Sequence, residues 1–140
     1  MPKPAGQVWS NDACELRITI PAPGVLVLAM KGHAPDYLLQ EALPALHSAF
    51  PAGQSGVFFC DGWEITGYET KFRVSMTNLV KSLRPRVKVH VLMRTKLVSM
   101  GFSVANLVMG GEMVGHRDHQ AFYALVDEKA AEALKIHRLA

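Results

Sequence analysis

Residues 71–111 contain no Asp or Glu, yet they carry eight cations: Lys71, Arg73, Lys81, Arg84, Arg86, Lys88, Arg94 and Lys96. The net charge of +3 conceals that asymmetry. The default expectation is that these cations scatter around a rim and pair with acids from elsewhere in the chain. The alternative is a positive surface field. Cysteine is scarce too: Cys14 and Cys60 show neither metal-ligand nor disulfide spacing. Both read as reduced thiols, Cys60 packing as a small hydrophobe, with a Cys14–Cys60 bridge as the alternative. No apolar run reaches the roughly 18–20 residues that a membrane-spanning helix needs. The longest candidate, 97–109, is shorter and is interrupted by Ser99, Ser103 and Asn106. No apolar stretch precedes Val8, so no secretory signal is read, and a cytoplasmic protein is expected. Gly62 and Gly67 match neither a P-loop nor a dinucleotide fingerprint, so no cofactor is expected. Exposed aromatics interleaved with the cations are lacking, so a nucleic-acid partner is not expected either.

What the chain does have is apolar periodicity. About half of its residues are hydrophobic (49%), enough for one core in 140 residues. Residues 1–6 read as a loose arm and 7–138 as one domain. Val8 and Trp9 open a short strand. Residues 15–20 alternate polar and apolar, as a strand with one wet face does. Residues 21–24 are turn chemistry, and 25–32 are a second, more central strand, giving an antiparallel hairpin. Asp36 is expected to cap a helix whose apolar face is Leu38, Leu39, Ala42, Leu43 and Leu46, kinked or split at Pro44. Val57, Phe58, Phe59 and Cys60 form a buried strand ending at Asp61. An exposed turn over 62–67 then leads into a helix from Tyr68 to Leu83, capped by Thr66 or Glu64. Residues 87–93 are a strand and 96–109 a helix stopped by Gly110 and Gly111. Residues 112–116 are a short edge strand. Asp118 caps a last helix with Phe122, Leu125, Val126, Ala133 and Leu134 inward. Alternating helices and strands predict a mixed, largely parallel sheet with an antiparallel edge hairpin and about four covering helices.

Four groups of residues invite a functional reading. Asp61, Trp63, Glu64, Thr66 and Tyr68 cluster at the carboxyl end of the central strand, where ligand and signalling sites gather in open α/β sheets. No base stands beside a nucleophile there, so a contact surface is expected and catalysis is not. An enzyme site joining Asp61, Glu64 and His116 is the weaker alternative. His116 and His119 flank Asp118, but a third metal ligand is not indicated, and no metal site is expected. Finally, the 97–109 helix is apolar over most of its circumference, while a sheet buries only one side. Its surplus, including Met100, Phe102 and Met109, either completes the core and a homodimer contact or meets a lipid-like ligand or membrane, with Arg94 and Lys96 suited to anionic headgroups.

This layout resembles the STAS domains, and more closely the short bacterial SpoIIAA-like proteins. The stretch Asp61, Gly62, Trp63, Glu64 looks like their strand-end turn. Val89 to Leu92 looks like their next strand, and Met113 to Phe122 like their last strand and helix start. In regulatory STAS domains a hydroxyl residue at the start of the second helix is phosphorylated by a partner kinase. Here Glu64, Ile65, Thr66, Gly67 puts Ile65 at the usual acceptor and leaves only Thr66. For the SpoIIAA-like proteins the resemblance implies binding of apolar ligands, membranes or protein partners. The leading expectation is thus a regulatory protein-interaction module. The alternative is a carrier or peripheral membrane protein working through the 97–109 helix.

Overall fold

The computed structural model describes residues 6–139. The expected arm, 1–6, lies outside them but for Gly6. Six strands form one sheet in the order of the chain: β1 (Gln7–Ser10), β2 (Cys14–Ala22), β3 (Val25–Ala34), β4 (Gly56–Tyr68), β5 (Val87–Leu92) and β6 (Val114–His116). β1, β2 and β3 pair antiparallel, and β3 through β6 pair parallel. β2 runs on past the expected turn at Pro21. A register shift between Thr19 and Ala22 absorbs the proline, which cannot donate to a ladder. The reversal is made at Pro23 and Gly24, whose φ of 79° suits glycine.

Four helices cover the sheet: α1 (Asp36–Ala49), α2 (Thr70–Leu83), α3 (Lys96–Val108) and α4 (His119–Leu139). α1, α2 and α3 each join two neighbouring parallel strands, and each connection steps in the same direction. Right-handed crossovers therefore put all three on one face. Alternation along the strands follows from this. Leu26, Leu28, Met30, Phe58, Cys60 and Val89 point to the face of α1 and α2 and meet Leu39, Ala42, Phe72 and Val80. Val25, Val27, Phe59 and Leu92 point the other way and meet Phe122, Val126 and Ala130 of α4. Cys14 and Cys60 are buried free thiols in the first cluster. Burial raises both above the ordinary thiol range.

Local expectations fail at four places, each for a physical reason. α1 runs unbroken through Pro44, which lies on its exposed side, where the carbonyls of the preceding turn can reach water. Asp36 does not cap α1. Its carboxylate instead accepts from Ser75 Oγ (2.6 Å) and bridges to α2, while its own N–H donates to Glu69 Oε1 (2.7 Å). Neither Thr66 nor Glu64 caps α2; Glu69 occupies that position. The expected turn at 62–67 is strand, because β3 runs to Ala34 and offers partners out to Tyr68. By contrast Asp118 does cap α4, accepting from the Ala121 N–H (3.0 Å). Gly110 and Gly111 stop α3 with positive φ.

Removing the interior proline isolates its cost. Pro44→Ala restores a helical donor and relieves the ring clash, so it is expected to raise unfolding stability by about 1–3 kcal/mol. Urea unfolding of both proteins measures this; a loss of stability would mean that the ring packs usefully.

Candidate functional site

β4 is longer than its neighbour β5. Its pairing with β5 ends at Asp61, whereas its pairing with β3 continues to Tyr68. Residues 62–68 therefore leave one edge open, and α3 is fastened there. Arg94 Nε donates to the Trp63 carbonyl (2.9 Å), and Tyr68 Oη donates to the Leu97 carbonyl (3.1 Å). Gly101 lets the helix pass close over the Tyr68 ring, where any Cβ would collide with the hydroxyl. Ser99 accepts from Arg117 (2.6 Å), and Asn106 accepts the Met113 N–H (3.0 Å). The serine–asparagine stripe thus holds α3 to the β6 side.

No residue of α3 is buried, although the helix is strongly apolar. The helix packs against the core through a half-buried inner stripe, Val98, Phe102 and Ala105. Beneath it lies a cavity of about 110 Å³, lined by Ile65, Tyr68 and Val91 of the sheet, by Phe72, Met76 and Val80 of α2, and by Val98, Gly101, Phe102 and Ala105 of α3. Arg73 and Thr77 of α2 stand in the same lining. A second apolar stripe points away from the cavity: Leu97, Met100, Val104, Leu107 and Val108, with Leu107 83% and Met100 67% exposed. Their spacing of three and four was readable from the sequence, as was the inner stripe; what the periodicity lacks is any sign of which stripe meets the sheet. Of the expected contact residues, Met109 is buried at the helix end and so is not on the outer stripe, while Phe102 lines the cavity and meets Gly115. Arg94 and Lys96 are exposed beside the helix start.

The cluster expected around the central strand end divides between two faces. A bulge in β4 sets three steps, Asp61 to Glu64, against the two from Ala29 to Lys31 of β3. Asp61, Trp63 and Glu64 consequently share the α4 side with His119, in a polar depression of about 200 Å³ that also takes Glu15 and Lys31. Tyr68 faces the cavity instead, and Thr66 is exposed on the strand. Asp61 is buried and fully engaged: its carboxylate accepts the Trp63 N–H (2.9 Å) and the Tyr123 hydroxyl. Burial and the adjoining carboxylate push the Tyr123 phenol above its ordinary range. Trp63 packs edge-on to His119 (5.4 Å) and under Arg94 (5.8 Å). His116 does not join this group, so the alternative enzyme site is not assembled.

His116 pairs instead with His90 on the next strand. Their Nδ1 and Nε2 atoms lie 2.8 Å apart, one donating and one accepting. Phe59 stacks on His90 (5.1 Å), and Phe122 meets His116 edge-on (5.5 Å). Burial, with His116, Lys88 and Lys129 nearby, lowers His90 from 6.5 to about 4, and burial lowers His116. The unfolded chain binds the proton more readily than the folded one between these values. The stabilisation is therefore complete above about pH 6.5 and is lost as pH falls towards 4, with a ceiling of roughly 3 kcal/mol. His90→Leu should narrow the stability difference between pH 7.5 and 4.5 in urea unfolding; an unchanged difference would place the acid sensitivity elsewhere.

The arrangement defines a class: an α/β module with consecutive strand order, three crossover helices on one face and one on the other. Among solved structures, the chain is similar to an uncharacterised protein of the DUF3478 family with a SpoIIAA-like fold from Shewanella loihica PV-4, with a TM-score of 0.58 and 18% identity. The match covers 87% of this chain and 92% of that one. The chain therefore has a SpoIIAA-like fold. No protein-family model and no curated protein matches it.

Proposed function

We propose that this chain is a non-catalytic binding module that takes an apolar molecule between α2 and α3 and rests on an anionic lipid surface through the outer stripe of α3. The observation that carries the reading is a helix with no buried residue, apolar on two sides, standing over an apolar cavity. The outer stripe of such a helix stands to gain from an interface above it, and a ligand beneath would extend the packing of Val98, Phe102 and Ala105. Fully burying each outer side chain is worth about 1.5–3 kcal/mol. The charge pattern supports the same reading. Of the eight cations in 71–111, Arg84 alone has a carboxylate within ion-pair distance among the described residues, Glu112 at 3.7 Å. The expectation that acids from elsewhere neutralise this block is thus corrected, and the positive field favours anionic lipid. No helix among the described residues is long and apolar enough to cross a membrane, and an exposed apolar stripe flanked by Arg94 and Lys96 suits surface contact.

Co-sedimentation with vesicles of phosphatidylglycerol and phosphatidylcholine is the test. Binding is expected at low salt and should weaken as salt rises. The double substitution Met100→Asp with Leu107→Asp should abolish it and leave unfolding stability within about 1 kcal/mol, since both side chains are exposed. Absence of binding at low salt sinks the membrane part of the reading.

A second reading, a protein partner on the β4 overhang, is favoured by the exposure of Glu64 and Thr66. Affinity capture with wild-type and Thr66→Glu baits addresses it: a protein gained or lost with the charge supports a phosphorylation switch, and identical recoveries remove that switch.

A further inference from the structure

The shortest strand ties two helices to the sheet. β6 is three residues long and pairs with β5 alone, and the Met93 N–H donates to the His116 carbonyl (2.9 Å). On one face it seats α3. The Phe102 ring lies over Gly115, where a Cβ would come within 3.1 Å of it. Just before the strand, the Met113 N–H donates to Asn106 Oδ1 (3.0 Å); just after it, Arg117 donates to Ser99 Oγ (2.6 Å) and Asp118 caps α4. On the other face His116 meets His90 of β5, ring nitrogen to ring nitrogen at 2.8 Å. His90 is buried and His116 half-buried, against Phe59 of β4 and Phe122 of α4. The charges that bear on His90 are all cationic: besides His116, they are Lys88 of β5 and Lys129 of α4. Among the described residues no carboxylate lies within ion-pair distance of either ring. Asp61 of β4 shares the row across the sheet with His116 but lies two strands away, and its carboxylate is engaged by the Trp63 N–H and the Tyr123 hydroxyl.

We infer that the His90–His116 contact is an acid-sensitive latch: it holds β6 against β5 while at least one ring is neutral, and a second proton unseats β6 and frees the far side of α3. Two neutral rings make one N–H···N bond, and a first proton still leaves a donor facing an acceptor. With both rings charged, the two facing nitrogens are both donors, in a partly buried place whose other charges are lysines. An edge strand of three residues is the cheap part of the sheet to open, since it breaks one short ladder and the central strands keep theirs. α3 then retains its fastenings to β4, Arg94 on the Trp63 carbonyl and Tyr68 on the Leu97 carbonyl. It swings from its N-terminal end, and Phe102 and Ala105 lift from the core. The open state takes up protons more readily than the closed one. The latch is therefore fully closed above about pH 6.5 and loosens as pH falls towards 4.

Hydrogen exchange of the full chain by mass spectrometry, expressed as protection against the unstructured rate at each pH, reads the latch. Between about pH 7.5 and 5, peptides covering 112–117 and the second half of α3 should lose roughly tenfold or more in protection, while those of β2 and β3 keep theirs. His90→Gln and His116→Gln each leave an amide that still makes a hydrogen bond but takes up no proton. Either variant should hold its β6 protection at the lower pH, with thermal unfolding at the higher pH establishing that it folds. A wild type whose β2, β3 and β6 peptides lose protection together opens globally, and one that loses none does not open; either result overturns the latch. Gln variants that loosen as much as wild type put the acid response on other groups and overturn it too. If neither variant folds, NMR titration of the wild-type imidazoles decides. Loss of β6 protection that coincides with the second ring's titration supports the latch, and clearly separated midpoints overturn it.

Discussion

The pairing of β4 with β3 is the constraint on which the rest depends. It continues to Tyr68, seven residues beyond Asp61, where the β5 ladder stops. An open strand edge presents unpaired backbone groups and must be covered. Here the cover is the start of α3, through Arg94 on the Trp63 carbonyl and Tyr68 on the Leu97 carbonyl. The helix so fastened rests on the core through Val98, Phe102 and Ala105. Gly101 fixes how close the helix comes to the Tyr68 ring, and the space left beneath is the cavity.

The order of the strands explains why no switch-point crevice forms. Ligands gather at a switch point in doubly wound sheets because the strand order reverses there and the crossover helices part. In this sheet every parallel step goes the same way, so three helices share one face and no such crevice opens. The single helix α4 covers the other face and locks Asp61 through Tyr123. A carboxylate that accepts two hydrogen bonds at the end of the central strand is a structural anchor that joins β4 to α4.

Charge and apolarity converge on the same helix pair. Residues 71–111 include all of α3 and nearly all of α2, so the segment without acids contains the elements that form the cavity. Arg86 is held by the Pro51 and Gln54 carbonyls, and Arg94 by that of Trp63, which ties down cations without neutralising them. These cations keep their charge, and Arg94 and Lys96 stand exposed at the start of the helix that carries the outer stripe of Leu, Met and Val.

Local chemistry was sufficient to determine much of this protein. The alternation in 15–20, the three- and four-residue spacings of the helices, the Asp118 cap and the Gly110–Gly111 stop each act within a few residues, and the fold class followed from their order. The sequence also marked the 97–109 helix as too apolar for one sheet face; in the structure its outer stripe is exposed and its inner stripe packs on the core beside the cavity. It could not place the pieces that depend on partners distant in the chain. Residues 62–67 look like a turn until β3 supplies hydrogen-bond partners. Asp36 looks like a cap until Glu69 accepts its N–H and Ser75 donates to its carboxylate. His90 and His116 are 26 positions apart and meet only because β5 and β6 are adjacent. A periodic pattern states that a helix has an apolar face, but whether a second element closes on that face is decided by tertiary packing, because burial is a property of the neighbours and not of the residue.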